Sequence, residues 1–189
     1  MTSREATELI AAAVDRSNAS WTDRSKASWA DLGAGDGMFT LALASLLVPG
    51  SCIYAVDRDS RALSALSRRA KDSEADIKVI PIRADFTKPF EWPGLEDEQL
   101  DGMLFANALH YVHDPAPLLG RLVSRLKPGG RVVVVEYDRR DPNPWVPHPI
   151  PSRDLPSITR DAGLSEPKEV RRRPSAFGGD LYVAVVDRL

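Results

Sequence analysis

Apolar positions repeat along the chain with two periods, and the changes between them mark out the elements. Leu9, Ile10, Ala13 and Val14 recur at helical spacing and predict a first helix over residues 3–16, after which Asn18 to Ala27 is polar and reads as a linker. A short apolar run from Ser28 and Trp29 through Ala30 and Leu32 predicts a strand, and Phe39, Leu41, Leu43, Leu46 and Leu47 predict a helix that Pro49-Gly50 ends. Cys52 to Val56 is uninterrupted apolar sequence, the pattern of a parallel strand buried on both faces. Ala62, Leu63, Leu66 and Ala70 give the next helix and Ile77 to Ile82 the third strand. Residues 87–99, with two prolines, a glycine and several acids, read as a solvated loop, and Leu100 to Phe105 as a fourth strand.

Asp114-Pro115 has the N-cap and first-turn proline of a helix start, and Leu118, Leu119, Leu122, Val123 and Leu126 predict its buried stripe. Lys127-Pro128-Gly129-Gly130 then turns into a fifth strand over Arg131 to Tyr137. Residues 138–156 carry six prolines and predict an extended, stiff segment, either a lid over a site or a plain connector. A short helix over Leu155 to Ala162 and a hairpin of Pro167 to Arg173 with Leu181 to Arg188 close the chain. Alternation of strands and helices followed by a hairpin predicts an α/β fold: a seven-stranded, mostly parallel sheet with helices on both faces and one antiparallel strand from the hairpin.

Ala30-Asp31-Leu32-Gly33-Ala34-Gly35-Asp36-Gly37 joins the first strand to the second helix. Glycine at every second position lets the backbone turn sharply and approach a ligand closely, and the helix N-terminus beyond it favours a negative group. A dinucleotide fingerprint needs its third glycine at residue 38, which is Met38, so NAD is the weakest reading. The acidic-x-Gly-x-Gly-x-Gly pattern of Asp31, Gly33, Gly35 and Gly37 resembles the first motif of the class I S-adenosylmethionine-dependent methyltransferases. The resemblance extends over residues 28–189, including the run Leu126-Lys127-Pro128-Gly129-Gly130-Arg131, and implies a Rossmann-like fold with S-adenosyl-L-methionine as cofactor.

Asp57 ends the second strand 20 residues beyond Gly37, where a carboxylate can accept from both ribose hydroxyls, with Arg58 beside it; a helix cap is the plainer role, for which Asp59 or Ser60 serves as well. The resemblance implies that Asp85 accepts from the adenine amino group, that Phe86 contacts the base, and that Asn107 and its neighbours line the methionine end of the cofactor and the acceptor pocket. It also implies a first helix leaning over the active site. Methyl transfer requires of the protein no nucleophile and no metal, and a base only where the acceptor must lose a proton. Candidate bases are His110, best placed beyond the fourth strand, then His113 and His148; Tyr111, Glu136, Trp145 and His148 are candidate acceptor-binding groups.

Composition narrows the acceptor. A net charge of −2 supplies no general field for nucleic acid. The amino-methylating pattern Asp/Asn-Pro-Pro-aromatic is absent after the fourth strand, and Asn143-Pro144-Trp145 follows the wrong one. Arg171-Arg172-Arg173 can touch phosphates or simply protect a strand edge. A small-molecule acceptor is therefore the main expectation, with RNA or protein methylation, or cofactor binding without catalysis through a protein partner, as alternatives. The 189 residues, 43% apolar, suit a single domain with no second one. One cysteine, Cys52, in an apolar run, no signal-peptide pattern and no stretch of 18 apolar residues predict a soluble cytoplasmic protein.

Overall fold

The computed structural model describes residues 1–15, 26–73, 75–95, 99–138, 141–176 and 178–189, so most of the expected polar linker lies outside the described residues. Its strands are β1 (Ser28–Leu32), β2 (Cys52–Asp57), β3 (Lys78–Arg83), β4 (Leu100–Ala106), β5 (Leu126–Asp138), β6 (Lys168–Pro174) and β7 (Asp180–Asp187). The helices are α1 (Ser3–Val14), α2 (Met38–Ala44), α3 (Ser60–Lys71), α4 (Pro115–Val123) and α5 (Leu155–Asp161). One seven-stranded sheet has the order β3-β2-β1-β4-β5-β7-β6. Neighbours from β3 to β5 pair in parallel, and β7 runs antiparallel between β5 and β6. Pro81 is tolerated in β3 because that strand is the sheet edge.

Alternate side chains of each strand point to opposite faces, and both faces are covered. One face packs Ala30, Leu32, Tyr54, Val56, Met103 and Phe105 under α4 and α5. The other packs Trp29, Ile53, Leu104, Val133 and Val183 under α1 and α2, while Leu63 and Leu66 of α3 close over Ala55. The chain leaves β1 toward one face and β4 toward the other. Between these adjacent strands the sheet has its topological switch point, and the crevice beyond their C-terminal ends is where such sheets bind ligands.

Four expectations are corrected by the packing. Leu126 belongs to β5, where it pairs with Leu100; the ladder then slips, and Arg131 pairs with Gly102, so residues 127–130 bulge within the strand instead of preceding it. Residues 87–95 are no simple solvated loop, because Leu95 and Trp92 are buried and Trp92 stacks near Phe90, with ring centroids 4.5 Å apart, and meets Tyr54 edge-on. The aromatic side chains in this acidic stretch act as anchors. α1 lies against α2, β6 and β7 on one face of the sheet, and none of its residues lines a cavity at the switch point. The proline-rich segment bends back: Asn143 Oδ1 accepts from the N–H groups of Trp145 (2.9 Å) and Val146 (3.0 Å), closing a tight turn that buries Val146.

Candidate active site

The loop after β1 is built around the end of β2. Gly33 and Ala34 donate to Val56 O at 2.9 and 3.0 Å, and Gly35 N–H donates to Asp57 Oδ2 at 2.8 Å. Gly37 has φ +88°, and a Cβ there would lie 2.1 Å from Leu66 Cδ1, so this glycine sets the start of α2 and its packing on α3. Gly35, at φ +55°, faces open space in which a Cβ would meet nothing within 4 Å. The two glycines have separate duties. Gly37, expected among the cofactor contacts, does not line the cavity.

Next to Gly35 opens a cavity of about 480 Å³, bordered by Gly33, Asp57, Arg58, Asp85, Phe86 and Asn107. Asp57 Oδ1 accepts from Asp59 N–H at 2.8 Å, and Asp59 itself caps α3 by accepting from Arg61 and Ala62 N–H. The cap is thus Asp59, and Asp57 is left facing the cavity with accepting capacity on both oxygens. Asp85 Oδ1 accepts from Thr87 Oγ1 (2.6 Å) and Thr87 N–H (3.0 Å). That hydroxyl bond is the main cause holding the Asp85 carboxyl below its ordinary range. Phe86 packs edge-on against Phe105, and its carbonyl accepts from Arg121 at 3.1 Å.

Asp31 lies beneath this loop, fully buried and outside the cavity wall. Thr40 Oγ1 donates to its Oδ2 at 2.6 Å, while Oδ1 has no partner. Burial pushes this carboxyl up to about 7, against the Thr40 hydrogen bond and with a small addition from the charge on Asp57.

A second cavity, about 720 Å³ and mostly apolar, is lined by His110, Tyr111, Tyr137, Asn143, Trp145 and Val146. Asn107 and Tyr111 border both cavities. Asn107 adopts φ +54°, a left-handed conformation unusual outside glycine, and its Oδ1 is buried without a partner. His110 stands in the wall, 2% exposed. Its Nδ1 lies 2.7 Å from Glu136 Oε2, and its backbone N–H donates to Glu136 Oε1 at 3.2 Å. With Glu136 accepting at Nδ1, that nitrogen carries the proton and Nε2 is left as the acceptor. Glu136, expected as a pocket-lining group, is instead fully buried behind the imidazole.

Three contacts dock the proline-rich segment beside this cavity. His148 N–H donates to His110 O at 3.0 Å, Tyr182 Oη donates to Ile150 O at 2.9 Å, and Ser152 N–H donates to Asp138 Oδ1 at 3.0 Å. The rings of His148 and His113 meet edge-on at 5.1 Å and line neither cavity. Arg172 bridges Asp138 (2.5 Å), Glu169 (2.7 Å) and Asp180 (3.4 Å), and Arg173 pairs with Glu5 at 3.2 Å. Two of the three consecutive arginines are thereby spent within the fold.

A methyltransferase-domain family matches residues 23–163. The chain belongs to that family. Its methyl donor is S-adenosylmethionine, and the first cavity fits such a ligand on its own terms: Gly35 faces space that a side chain would fill, two carboxylates keep accepting capacity, and Asn107 Oδ1 awaits a donor. No curated protein matches the chain in sequence. Among solved structures, this methyltransferase is similar to YcgJ from Bacillus subtilis, with 12% identity over 98% of both chains and a TM-score of 0.70. It is likewise similar to the 1,6-didemethyltoxoflavin-N1-methyltransferase of Burkholderia thailandensis, solved with its namesake compound and S-adenosylhomocysteine: 20% identity over 98% of this chain and 77% of that one, TM-score 0.70. The magnesium protoporphyrin IX methyltransferase of Synechocystis, solved with S-adenosylmethionine, gives 14% identity, 98% and 79% coverage, and a TM-score of 0.69.

The sequence did not single out Thr87, Thr40 or Val146, and it noted Asn143 only in a misplaced Asn-Pro-Trp run, not as a cavity residue. Thr87 stands two residues beyond Asp85, the spacing of a side-chain turn, and Asn143 precedes a proline in the pattern of a turn start, so both left a faint signal. Thr40 reaches Asp31 only through the fold. Among the described residues no group of three or more His, Cys, Asp or Glu side chains is placed to hold a metal, and no helix is long and apolar enough to cross a membrane.

Proposed function

We propose that this methyltransferase acts on a small-molecule acceptor held in the apolar cavity, with the cofactor in the neighbouring polar one. The observation that carries the reading is the meeting of the two cavities at Asn107 and Tyr111. Asp57 accepts from the ribose hydroxyls, Asp85 through its Oδ2 from the adenine amino group, and Asn107 Oδ1 borders the methionine end, with Arg58 and Phe86 flanking the nucleoside. When bound, S-adenosylmethionine supplies an electrophilic methyl group on a positively charged sulfur, which keeps the bonding electron pair as the acceptor takes the carbon. The chain contributes chiefly by holding two ligands in one line, which turns an encounter in solution into a step within one complex.

His110 is the base in this reading. Nε2 takes the acceptor's proton, and Glu136, held against Nδ1, stabilises the resulting imidazolium and fixes the ring. Trp145 covers the acceptor from the segment of residues 138–156, which serves as the lid, and residues 1–189 act as one domain. Phosphate recognition draws no support from Arg172 and Arg173, both engaged in ion pairs. A cytoplasmic setting agrees with the single cysteine, Cys52, whose Sγ sits 3.3 Å from Ser28 Oγ. Calorimetric titration with S-adenosylmethionine and NAD in parallel tests the assignment: micromolar binding of the first alone is expected, and binding of NAD alone would overturn it.

A further inference from the structure

We infer that the acceptor is a flat aromatic compound bearing a hydroxyl group, lying against Trp145 and Tyr111 with its oxygen at His110 Nε2. The inference rests on the methyl-transfer reading above and adds the chemical class of the acceptor and the atom that is methylated. Its first support is a pair of exposed rings. Apart from Met1 and Leu189 at the chain ends, Tyr111 (56% exposed) and Trp145 (76%) are the large apolar side chains left open to water among the described residues, and both border the same cavity. Isolated exposed aromatics need no explanation, but two on one mostly apolar cavity make a surface suited to a flat π-system. Trp145 is also deliberately presented. Asn143 Oδ1 receives two backbone N–H groups to form the turn that carries it.

The second support lies inside the cavity. Among the described residues no hydrogen bond is made at His110 Nε2, and the wall around it is mostly apolar, so a ligand hydroxyl can donate there. A neutral amine attacks through a free lone pair and makes no use of a base held in place by a buried carboxylate. Among hydroxyls, a phenol ionises near pKa 10, like tyrosine, within a few orders of magnitude of imidazole at about 6.5. An aliphatic hydroxyl is about as weak an acid as water, near 15.7, far beyond that reach. No lysine or arginine is among the described residues lining the cavity.

The proton step balances within the site. The phenolic O–H bond breaks, an N–H bond forms at Nε2, and the product pair is a phenolate and an imidazolium. Nδ1–H of that imidazolium remains bonded to the Glu136 carboxylate, and the proton passes to water when the site reopens.

The test uses 4-nitrophenol as probe, whose phenolate is distinguished by its visible absorbance, added to the protein saturated with S-adenosylhomocysteine. At about one pH unit below the probe's own ionisation, the wild type should quench its tryptophan fluorescence and raise the phenolate fraction above that in buffer. Trp145→Ala, an exposed change that leaves the core alone, should weaken binding about tenfold. His110→Gln and Glu136→Gln should keep binding but lose the added phenolate, a spectroscopic signature that a merely structural role for Glu136 would not move. The inference is overturned if cyclohexanol competes as well as 4-nitrophenol, or if protein that binds S-adenosylhomocysteine ignores the phenol. Failure to bind S-adenosylhomocysteine at all would instead sink the methyl-transfer reading, which separates the two failures.

Discussion

The two cavities that meet at Asn107 and Tyr111 are made by different means. The polar one is assembled from the tips of β1, β2 and β3, where backbone hydrogen bonds lock the glycine loop to β2 and every carboxylate already has a donor in the protein. The apolar one is assembled from the turn after β4, the end of β5 and a proline-rich segment that is docked from outside. On the polar side the sheet itself sets the geometry. On the apolar side it is set by side chains that reach across from distant segments. In the proposed reading, a site of this kind can keep its polar side constant while the apolar side changes with the proline-rich segment, because that segment does not hold the glycine loop.

Breaking the polar side at its foundation should have the largest effect. Gly37→Ala forces an L residue to φ +88° and drives a Cβ into buried Leu66, and should cost about 2–5 kcal/mol in chemical denaturation. Gly35→Ala is the control: it shares the left-handed strain at φ +55°, about 1–2 kcal/mol, but meets no atom, and should lose cofactor binding beyond that stability cost. Asp57→Ala should follow, with about 1–3 kcal/mol of cofactor affinity lost, about fivefold to over a hundredfold by calorimetry, as its ribose hydrogen bonds and the partner of Gly35 N–H disappear.

Asp31 sharpens the comparison through pH. Its carboxyl, ordinarily near 3.8, is raised to about 7 by burial, so across that window the folded protein holds a proton that the unfolded chain has released. The stabilisation is complete below the lower value and is lost as pH rises to the upper one, at about 1.4 kcal/mol per pH unit. Denaturation midpoints should fall accordingly between about pH 4 and 7 and level off above, and Asp31→Asn should flatten the slope.

The smallest effect is expected on the apolar side. Arg172 ties Asp138, at the start of the proline-rich segment, and Ser152, toward its end, to Glu169 and Asp180. Burial works against the Asp138 charge, but the bonds from Arg172 and Ser152 outweigh it and hold the carboxyl below its ordinary range. Arg172→Ala removes partly exposed ion pairs worth about 0.5–1 kcal/mol. It should weaken acceptor binding modestly and leave cofactor affinity unchanged, and an equal loss of both would show that the lid is not separable.

The same contrast explains what was legible in the sequence. Gly33, Gly35, Asp57 and Asp85, which line the polar cavity, stand at fixed offsets from strands that an apolar run announces, because this side is local in sequence even where it is shared among strands; Asp31 and Gly37 belong to the same pattern but lie outside the cavity wall. The seven-stranded, mostly parallel sheet with one antiparallel strand followed from alternation and a hairpin, whereas the order of the strands became visible only in the pairing. Leu126 was misplaced since a helix stripe and a bulged strand start offer the same leucine, and only pairing with Leu100 decides between them. Trp92 and Leu95 hid among acids and prolines, with burial supplied by Tyr54 from another strand. The partnership of His110 with Glu136 spans two strand ends and has no local pattern at all.

Calorimetric titration of S-adenosylhomocysteine into wild type, Asp57→Ala and Trp145→Ala tests most directly the claim that the two sides are separate. The account predicts that Asp57→Ala weakens binding at least about fivefold while Trp145→Ala binds as the wild type does. Wild-type affinity in Asp57→Ala, or an equal loss in Trp145→Ala, would contradict it.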